Sequence, residues 1–350
     1  MQTVHLVHYT TRPGGLEIKM PLRISGIKNY KVKVFIIRDK SWENVYRETS
    51  VEIAYGSNIK IIAFIKFFLY VLKQRKDIFH LFNAGPFFLA VLSLLGAKRV
   101  VYSIHGTIYW RSSFQRIVRK IFWGLGLSKY TVLTSNSEYS AKIFKERIAP
   151  DSSPVLLYNP IDLGRFSKPD GKITGKTIKV VYAGRLVEGK NLDRWVDAAV
   201  FLLKKELDAV FEIYGNGSYK SELQRRINES GYNEKIILKG HESHIENVFR
   251  SSDLLLFLSE YESFGNVAVE SVLCGTPVIT FNIPPMLEIF KNYPEFIIKN
   301  EKGFESELYG RIKTMAHLRM QAAKASKEFA DRFGADIYKR KLEEIYVKLN

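Results

Sequence analysis

Short apolar segments and longer segments of helical periodicity alternate along almost the whole chain. The apolar segments predict buried strands at residues 3–8, 31–37, 77–82, 99–104, 130–133 and 155–157, and again at 178–182, 210–214, 235–238, 253–258 and 277–280. Helices are predicted between most of these strands. Two successive blocks of this kind predict an α/β protein with two facing, Rossmann-like, doubly wound parallel sheets and a ligand site between them.

The segment SKPDGKITGK at residues 167–176 separates the two blocks, because its Gly, Lys and Pro content is typical of a linker. We therefore predict a first domain over residues 1–166 and a second over residues 167–332. Residues 318–350 have a helical pattern that is interrupted at Phe333 and Gly334. The last helix, 333–350, is thus expected to be separate from the one before it.

The stretch 255–280, LLFLSEYESFGNVAVESVLCGTPVIT, combines a buried strand, a polar loop with Glu262 and a helix with Glu270. The helix is predicted to begin near Phe264 and Gly265, so its first amides lie at the carboxyl edge of a parallel sheet, where anions bind. Seven residues separate the two glutamates, which allows both carboxylates to line one cleft. Cys274, the single cysteine, is interpreted as a small buried side chain and not as a nucleophile.

A second polar loop, GRLVEGKN, follows the first strand of the second block. It carries Arg185 and Lys190, whose cations are predicted to converge on one anion across a glycine-containing turn. A departing pyrophosphate is an anion of this kind, since charge develops on its bridging oxygen as the bond to carbon breaks. Solvation of both side chains at the surface is the alternative interpretation.

Further candidate positions lie outside these two loops. Gly14 and Gly15 precede a helix and fit either close approach of a ligand or a plain turn. His105 stands at the carboxyl end of a strand, where it is either a site residue or structural. Ser135 is the predicted N-cap of the helix at residues 136–147. The pair around Asn216, GNG, follows a strand, and the absence of a GxGxxG motif at the first strand–helix turn argues against a dinucleotide.

The charge is strongly basic, with a formal net charge of +17 from 53 Lys and Arg against 36 Asp and Glu. An anionic partner is expected, and an acidic membrane surface is favoured over nucleic acid because no nucleic-acid-binding motif is present. Residues 60–76 and 111–129 are alternative membrane-contact segments, since both mix cations with apolar residues at helical spacing. The same pattern fits an ordinary half-buried helix beside the sheet, and for residues 60–76 this second interpretation is favoured. The sequence has neither a signal peptide pattern nor a membrane-spanning apolar run, and the expected location is cytoplasmic.

Several motifs together resemble the family-4 retaining glycosyltransferases of the GT-B fold. In the second half these are AGRLVEGKN, YGNG and SSDLLLFLSEYESFGNVAVESVLCGTPVI, with the paired glutamates. In the first half they are the early Gly-Gly-x-Glu, DIFHLFN, HGT, LTSNSEYSAKIF and YNPID. The resemblance covers nearly the whole chain and implies an acceptor-side first domain, a nucleotide-sugar-binding second domain and a last helix that crosses back to the first domain.

The resemblance also implies residue roles. Arg185 and Lys190 would hold the diphosphate of the donor, and Glu270 would bind its ribose. Glu262 and His105 would act at the transferred sugar. Gly14 and Gly15 would border the acceptor and the diphosphate. The amides of Phe264, Gly265, Asn266 and Val267 would contact sugar hydroxyls and phosphate of the donor. The chain departs from many relatives at residues 282–288, so Glu288 has no assigned role.

We therefore expect a metal-independent, retaining hexosyl- or N-acetylhexosaminyltransferase without a cofactor. Its co-substrate is a nucleoside-diphosphate sugar, with UDP favoured over GDP, and its acceptor is lipid-linked or a growing saccharide at the inner face of a membrane. Front-face attack and double displacement both remain open. The alternatives are a soluble acceptor, a GDP-sugar donor, a catalytically silent sugar-nucleotide-binding protein, or a sugar-nucleotide epimerase.

Overall fold

The alternating pattern produces two all-parallel sheets in the computed structural model. The structure describes residues 1–9, 20–24, 27–38, 46, 51–82, 84–106, 112–168 and 176–349. The chain divides into two compact units, of which the first contains Met1–Pro160 together with Ala335–Asn350 and the second contains Ile161–Gly334. The predicted fold class, two Rossmann-like parallel-sheet domains, is confirmed.

The first unit has a seven-stranded sheet in the order β3-β2-β1-β4-β5-β6-β7. Its strands are β1 Gln2–His8, β2 Tyr30–Ile36, β3 Glu52–Tyr55, β4 Ile78–Phe82, β5 Val100–Ile104, β6 Thr131–Ser135 and β7 Val155–Leu156. Its first helices are α1 Met20–Ile24, α2 Lys60–Gln74, α3 Pro86–Leu94, α4 Ser113–Gly126 and α5 Glu138–Arg147. β4 and β5 are buried along their whole length, as a sheet covered on both faces requires.

The second unit has a six-stranded sheet in the order β10-β9-β8-β11-β12-β13. Its strands are β8 Ile178–Ala183, β9 Ala209–Tyr214, β10 Ile236–Gly240, β11 Leu254–Phe257, β12 Val278–Phe281 and β13 Ile297–Ile298. Its helices are α6 Leu192–Lys204, α7 Lys220–Glu229, α8 Ile245–Ser251, α9 Asn266–Leu273, α10 Pro284–Ile289, α11 Phe304–Lys313 and α12 Met315–Phe333. Cys274 is free and buried, as predicted.

The last helix, α13 (Ala335–Val347), belongs to the first unit. Tyr338, Leu342 and Tyr346 of this helix are buried in a core that also contains Val4 and Leu6 of β1. A separate core on the first unit contains apolar residues of α2, α3, α4 and α5. The helices α1 and α13 therefore contribute to one core of this unit and α2 to α5 to the other.

Two local predictions differ from the structure. The unit boundary lies before Ile161, not after residue 166, because the Ile161 amide donates to the carbonyl of Phe333 at 2.8 Å and ties this segment to the end of α12. The N-cap of α5 is Ser137, not Ser135, since the Ser137 hydroxyl accepts from the amide of Ser140 at 3.0 Å. Most of the predicted linker, residues 169–175, lies outside the described ranges.

Candidate active site

Two loops of the second unit meet at the position where the strand order of its sheet reverses. The neighbours of β8 are β9 on one side and β11 on the other. The loop after β8 carries Arg185 and Lys190, and the loop after β11 carries Glu262. Parallel strands end at the same edge, and ligands of open α/β sheets bind in the crevice at such a reversal. The candidate residues of this unit are thus placed where a ligand is expected.

Lys190 and Glu262 form an ion pair in which Nζ lies 2.5 Å from Oε1. The two side chains are only 14% and 17% exposed, respectively, so water screens this pair less than a surface pair. The Lys190 ammonium also lies 5.9 Å from the ring centroid of Phe257. Arg185 is exposed, and no salt bridge to it is found among the described residues. The Lys190 ammonium thus bonds a carboxylate of the site, and the Arg185 guanidinium is open to solvent.

Hydrogen bonds between the two loops fix this arrangement. The Glu260 amide donates to the Gly189 carbonyl at 2.9 Å, and the Asn191 side-chain amide donates to the Leu258 carbonyl at 2.8 Å. Asn191 has a left-handed backbone (φ 51), a conformation that asparagine tolerates better than most residues. The loops therefore form one connected structure that holds Lys190 beside Glu262.

The Gly215-Asn216-Gly217 loop supports the backbone next to Arg185. The Leu186 amide donates to the Asn216 carbonyl at 2.9 Å. A Cβ atom at Gly215 would lie 1.8 Å from the Gly184 carbonyl oxygen, and one at Gly217 would lie 2.0 Å from the Leu186 carbonyl oxygen. Only glycine allows this approach. Gly215 and Gly217 are therefore approached by the backbone of the neighbouring loop of the same unit.

Helix α9 begins directly after the Glu262 loop. The predicted backbone contacts lie at this helix start: Phe264, Gly265, Asn266 and Val267. Gly265 precedes the helix with a left-handed φ of 102, and a Cβ there would lie 2.3 Å from the Met286 methyl carbon. Glu270 lies further along the helix and is buried. The positive end of the helix dipole is thus directed at the edge that carries Glu262.

In the first unit, His105 follows β5 and stacks on Phe82, with ring centroids 5.7 Å apart and planes 20° apart. The ring of His80 stacks on Phe82 at 3.8 Å, and that of His8 at 5.9 Å. Among the described residues, neither ring nitrogen of His105 has a hydrogen-bond partner, although both are buried. The sequence singles out His105 alone, whereas the structure places it in a cluster of three histidines around one phenylalanine.

Arg23 is fully buried near this cluster. Its guanidinium lies 5.8 Å from the centroid of the Phe82 ring and donates to the Tyr338 hydroxyl at 3.1 Å and to the Asn159 side-chain oxygen at 2.8 Å. Burial, followed by the charge of Arg23, holds the pKa of His105 well below its usual value. The imidazole is therefore neutral at physiological pH. Gly14 and Gly15, the remaining candidates, lie outside the described residues.

Two family models match the chain in succession. The model described as Glycosyltransferase Family 4 matches residues 28–165, and the one described as Glycosyl transferases group 1 matches residues 165–329. The chain belongs to glycosyltransferase family 4. The resemblance inferred from its motifs is confirmed.

Relatives of this family-4 glycosyltransferase match along most of their length. An N-acetylgalactosamine-N,N'-diacetylbacillosaminyl-diphospho-undecaprenol 4-alpha-N-acetylgalactosaminyltransferase of Campylobacter jejuni is 27% identical, with 90% of each chain covered. The O-antigen biosynthesis glycosyltransferase WclY of Escherichia coli is 24% identical, and the match covers 91% of this chain and 90% of WclY. The crystal structure of HepE from Anabaena in complex with UDP-glucose has a TM-score of 0.83 at 18% identity, with 99% of this chain and 100% of HepE covered. This likeness confirms the GT-B fold.

One prediction concerns the glycine loop of this glycosyltransferase. Gly217→Ala should lower the free energy of unfolding of the second unit by about 1–3 kcal/mol, because the added methyl group overlaps the Leu186 carbonyl and forces the backbone next to Arg185 to move. Urea denaturation measures the loss. Gly310→Ala is the matched control, since Gly310 lies in α11 and a Cβ added there would meet no atom within 4 Å, so alanine should not destabilise. Equal losses in both variants would contradict the prediction.

Proposed function

We propose that this glycosyltransferase is a retaining enzyme that moves a hexosyl or N-acetylhexosaminyl group from a UDP-sugar to a lipid-linked or growing saccharide acceptor. The observation that carries the proposal is the ion pair of Lys190 with Glu262 at the carboxyl edge of β8 and β11. It places a cation and a carboxylate together beside the start of α9. A reaction in which a diphosphate departs from a sugar cation needs both charges at one place.

In the proposed reaction, Lys190 and Arg185 bind the diphosphate of the donor, and the first amides of α9 add their dipole. Glu270 accepts hydrogen bonds from the ribose. As the bond between the anomeric carbon and the diphosphate oxygen breaks, Lys190 stabilises the leaving oxygen and Glu262 stabilises the positive charge on the sugar. The acceptor oxygen then bonds to the same face of the sugar, and its proton passes to the departing diphosphate.

His105 is proposed to act on the transferred sugar as a neutral hydrogen-bonding group. Its ring nitrogens have no partner among the described residues, and burial keeps the imidazole uncharged. A neutral ring can donate from one nitrogen and accept at the other, which suits a sugar hydroxyl. An imidazolium at this position would instead oppose the positive charge that develops on the sugar.

The proposal requires no divalent metal or cofactor, because side-chain cations and helix amides of the chain supply the positive charge at the diphosphate. UDP is proposed as the nucleotide because the HepE complex contains UDP-glucose. A polyprenyl-diphosphate-linked acceptor at the cytoplasmic face of an anionic membrane is proposed because the Campylobacter relative acts on a diphospho-undecaprenol saccharide. The net charge of +17 fits such a surface.

The test is the stereochemistry of transfer. The enzyme is incubated with EDTA, a panel of UDP- and GDP-sugars and a short-chain polyprenyl-diphosphate saccharide, and the anomeric proton of the product is followed by NMR. We expect transfer from a UDP-sugar with the anomeric configuration of the donor. An inverted product would reject retention, and binding of donors without transfer or hydrolysis would indicate a silent binding protein. Release of an epimerised donor without acceptor would indicate an epimerase.

A further inference from the structure

Helix α2 exposes apolar side chains on the surface opposite to its packed face. The buried residues of α2 are Ala63, Phe67 and Val71. Its exposed apolar residues are Ile61, Ile62, Ile65, Phe68, Leu69 and Leu72, and Ile61 is 70% exposed. Single exposed apolar residues are ordinary, but a continuous set along one helix marks an interaction site. Within the described ranges, no helix has the length and apolar character of a membrane span.

Helix α4 also exposes apolar side chains on the face opposite to its packed face. Its exposed apolar residues are Phe114, Ile117, Ile121 and Leu125, and Phe114 is 75% exposed. Their spacing of three and four residues places them in one stripe along the helix. The opposite face is packed, since Trp123 is buried and a Cβ at Gly126 would lie 2.8 Å from the Leu89 side chain of α3. The exposed stripe of α4 is therefore not part of the core of its unit.

Helix α3 joins the two exposed faces. The ring of Phe87 in α3 contacts Phe64 of α2 and Phe122 of α4, with both ring centroids 5.2 Å away. Between α2 and α3 lies an apolar groove of about 270 Å³, whose lining includes Ile65 and Phe68. The three helices thus present one surface, which we call the α2–α4 face and define by the exposed apolar residues of α2 and α4 named above.

The charges along this face have a single sign. Neither α2 nor α4 contains an acidic residue. Exposed cations accompany the apolar residues: Lys60, Lys66, Lys73, Arg116, Arg119 and Lys120. Two copies of this face brought together would place like charges against each other, and a nucleic-acid duplex offers no continuous apolar surface to cover the isoleucines. An anionic lipid bilayer supplies both an apolar interior and a negative surface.

We propose that the α2–α4 face docks on an anionic bilayer, with the apolar side chains of both helices inserted at the interface and the cations at the lipid headgroups. The proposal rests on the proposed function, since it names the surface through which the enzyme reaches a lipid-linked acceptor. The sequence treats residues 60–76 and 111–129 as alternative contacts. The packing of both helices against α3 makes them parts of one surface that binds as a unit.

The experiment measures cosedimentation of the full chain with vesicles of phosphatidylcholine containing 30% phosphatidylglycerol, without donor or acceptor. Two double variants each change one helix: Ile61→Gln with Leu69→Gln in α2, and Phe114→Gln with Ile121→Gln in α4. Each should weaken vesicle binding at least tenfold. The control, Leu287→Gln with Met320→Gln, removes two exposed apolar residues of the second unit and should bind like the unchanged protein. Added salt should reduce binding.

Three outcomes would overturn the proposal. The unchanged protein could fail to bind the anionic vesicles, or one of the two helix variants could bind as well as the unchanged protein, or sedimentation equilibrium could show a dimer that both variants dissociate. An assay of sugar transfer to a water-soluble short-chain acceptor distinguishes failure of the docking surface from failure of the proposed function. Transfer by both variants together with absent vesicle binding by the unchanged protein would refute the docking surface and leave the enzyme activity established.

Discussion

Substitution of the two partners of the active-site ion pair should change nucleotide binding in opposite directions. Lys190→Ala should lower turnover about 100-fold and weaken UDP binding about tenfold, because one charged donor to the diphosphate is lost. Glu262→Gln should lower turnover at least about tenfold but tighten UDP binding about threefold. The reason for the second effect is that Glu262 bonds the Lys190 ammonium at 2.5 Å, so the carboxylate competes with the diphosphate for this cation.

Calorimetry with UDP measures binding, and initial rates with the sugar donor measure turnover. Lys179→Ala is a matched control, since Lys179 also forms an ion pair, with Glu212 at 2.7 Å, but lies at the amino end of β8. It should leave both quantities unchanged. If both active-site substitutions weakened UDP binding equally, the pair would only hold the two loops together, and the proposed role of Lys190 at the diphosphate would be wrong.

The order of strands and helices was predictable from the sequence because parallel strands are buried on both faces and read as continuous apolar runs. β4 and β5 lie almost where the pattern predicts them. β3 has no buried residue and β13 has only two residues, and neither gives such a signal. Ser137 and not Ser135 is the N-cap because the helix begins at Glu138, two residues later than the pattern predicts, and the Ser137 backbone is extended.

The sequence predicts the candidate site residues of the second unit but not the contacts between them. Motif spacing places Arg185, Lys190 and Glu262 on loops at strand ends, and the structure brings two of these residues together. The sequence does not reveal that Lys190 bonds Glu262, because their contact depends on β8 lying next to β11. The sequence also could not predict that Arg23 is buried, because its partner Tyr338 belongs to the last helix, far away in the chain.

The histidine cluster also could not be predicted from the sequence. In the register of β1 and β4, His8 lies opposite Phe82, and His80 lies opposite Leu6. His80 donates or accepts at both ring nitrogens, with the Tyr346 hydroxyl at 2.7 Å and the Ser103 hydroxyl at 2.7 Å. The sequence does not show whether a histidine in an apolar strand is a site residue or a neutral residue of the core. Only the sheet register shows that these rings are buried together.

Acidification from pH 7 to pH 5 should therefore destabilise the first unit by about 2 kcal/mol through His8 alone. Burial lowers the pKa of His8 to about 3 and holds those of His80 and His105 well below the usual value, with Arg23 opposing protonation of all three. In the unfolded chain the three histidines bind protons below about pH 6.5, whereas in the folded unit they stay neutral. Stability is therefore at its full value above that pH and is lost as the pH falls. His80 and His105 contribute further losses in the same direction.

The stability of many domains is only about 5–15 kcal/mol, so a loss of this size should make the first unit measurably less stable at pH 5 than at pH 7. Hydrogen exchange of amides in β1, β4 and β5 at pH 7, 6 and 5, corrected for intrinsic exchange, reports on this unit. His8→Gln should reduce the dependence of stability on pH by about 1.4 kcal/mol per pH unit below pH 6. His241→Gln, at an exposed histidine of the second unit, should leave the dependence unchanged. If stability depends on pH in the same way in His8→Gln, the His8 imidazole is protonated in the folded protein as it is in the unfolded protein. Only an imidazole that stays neutral in the folded protein makes stability fall with pH.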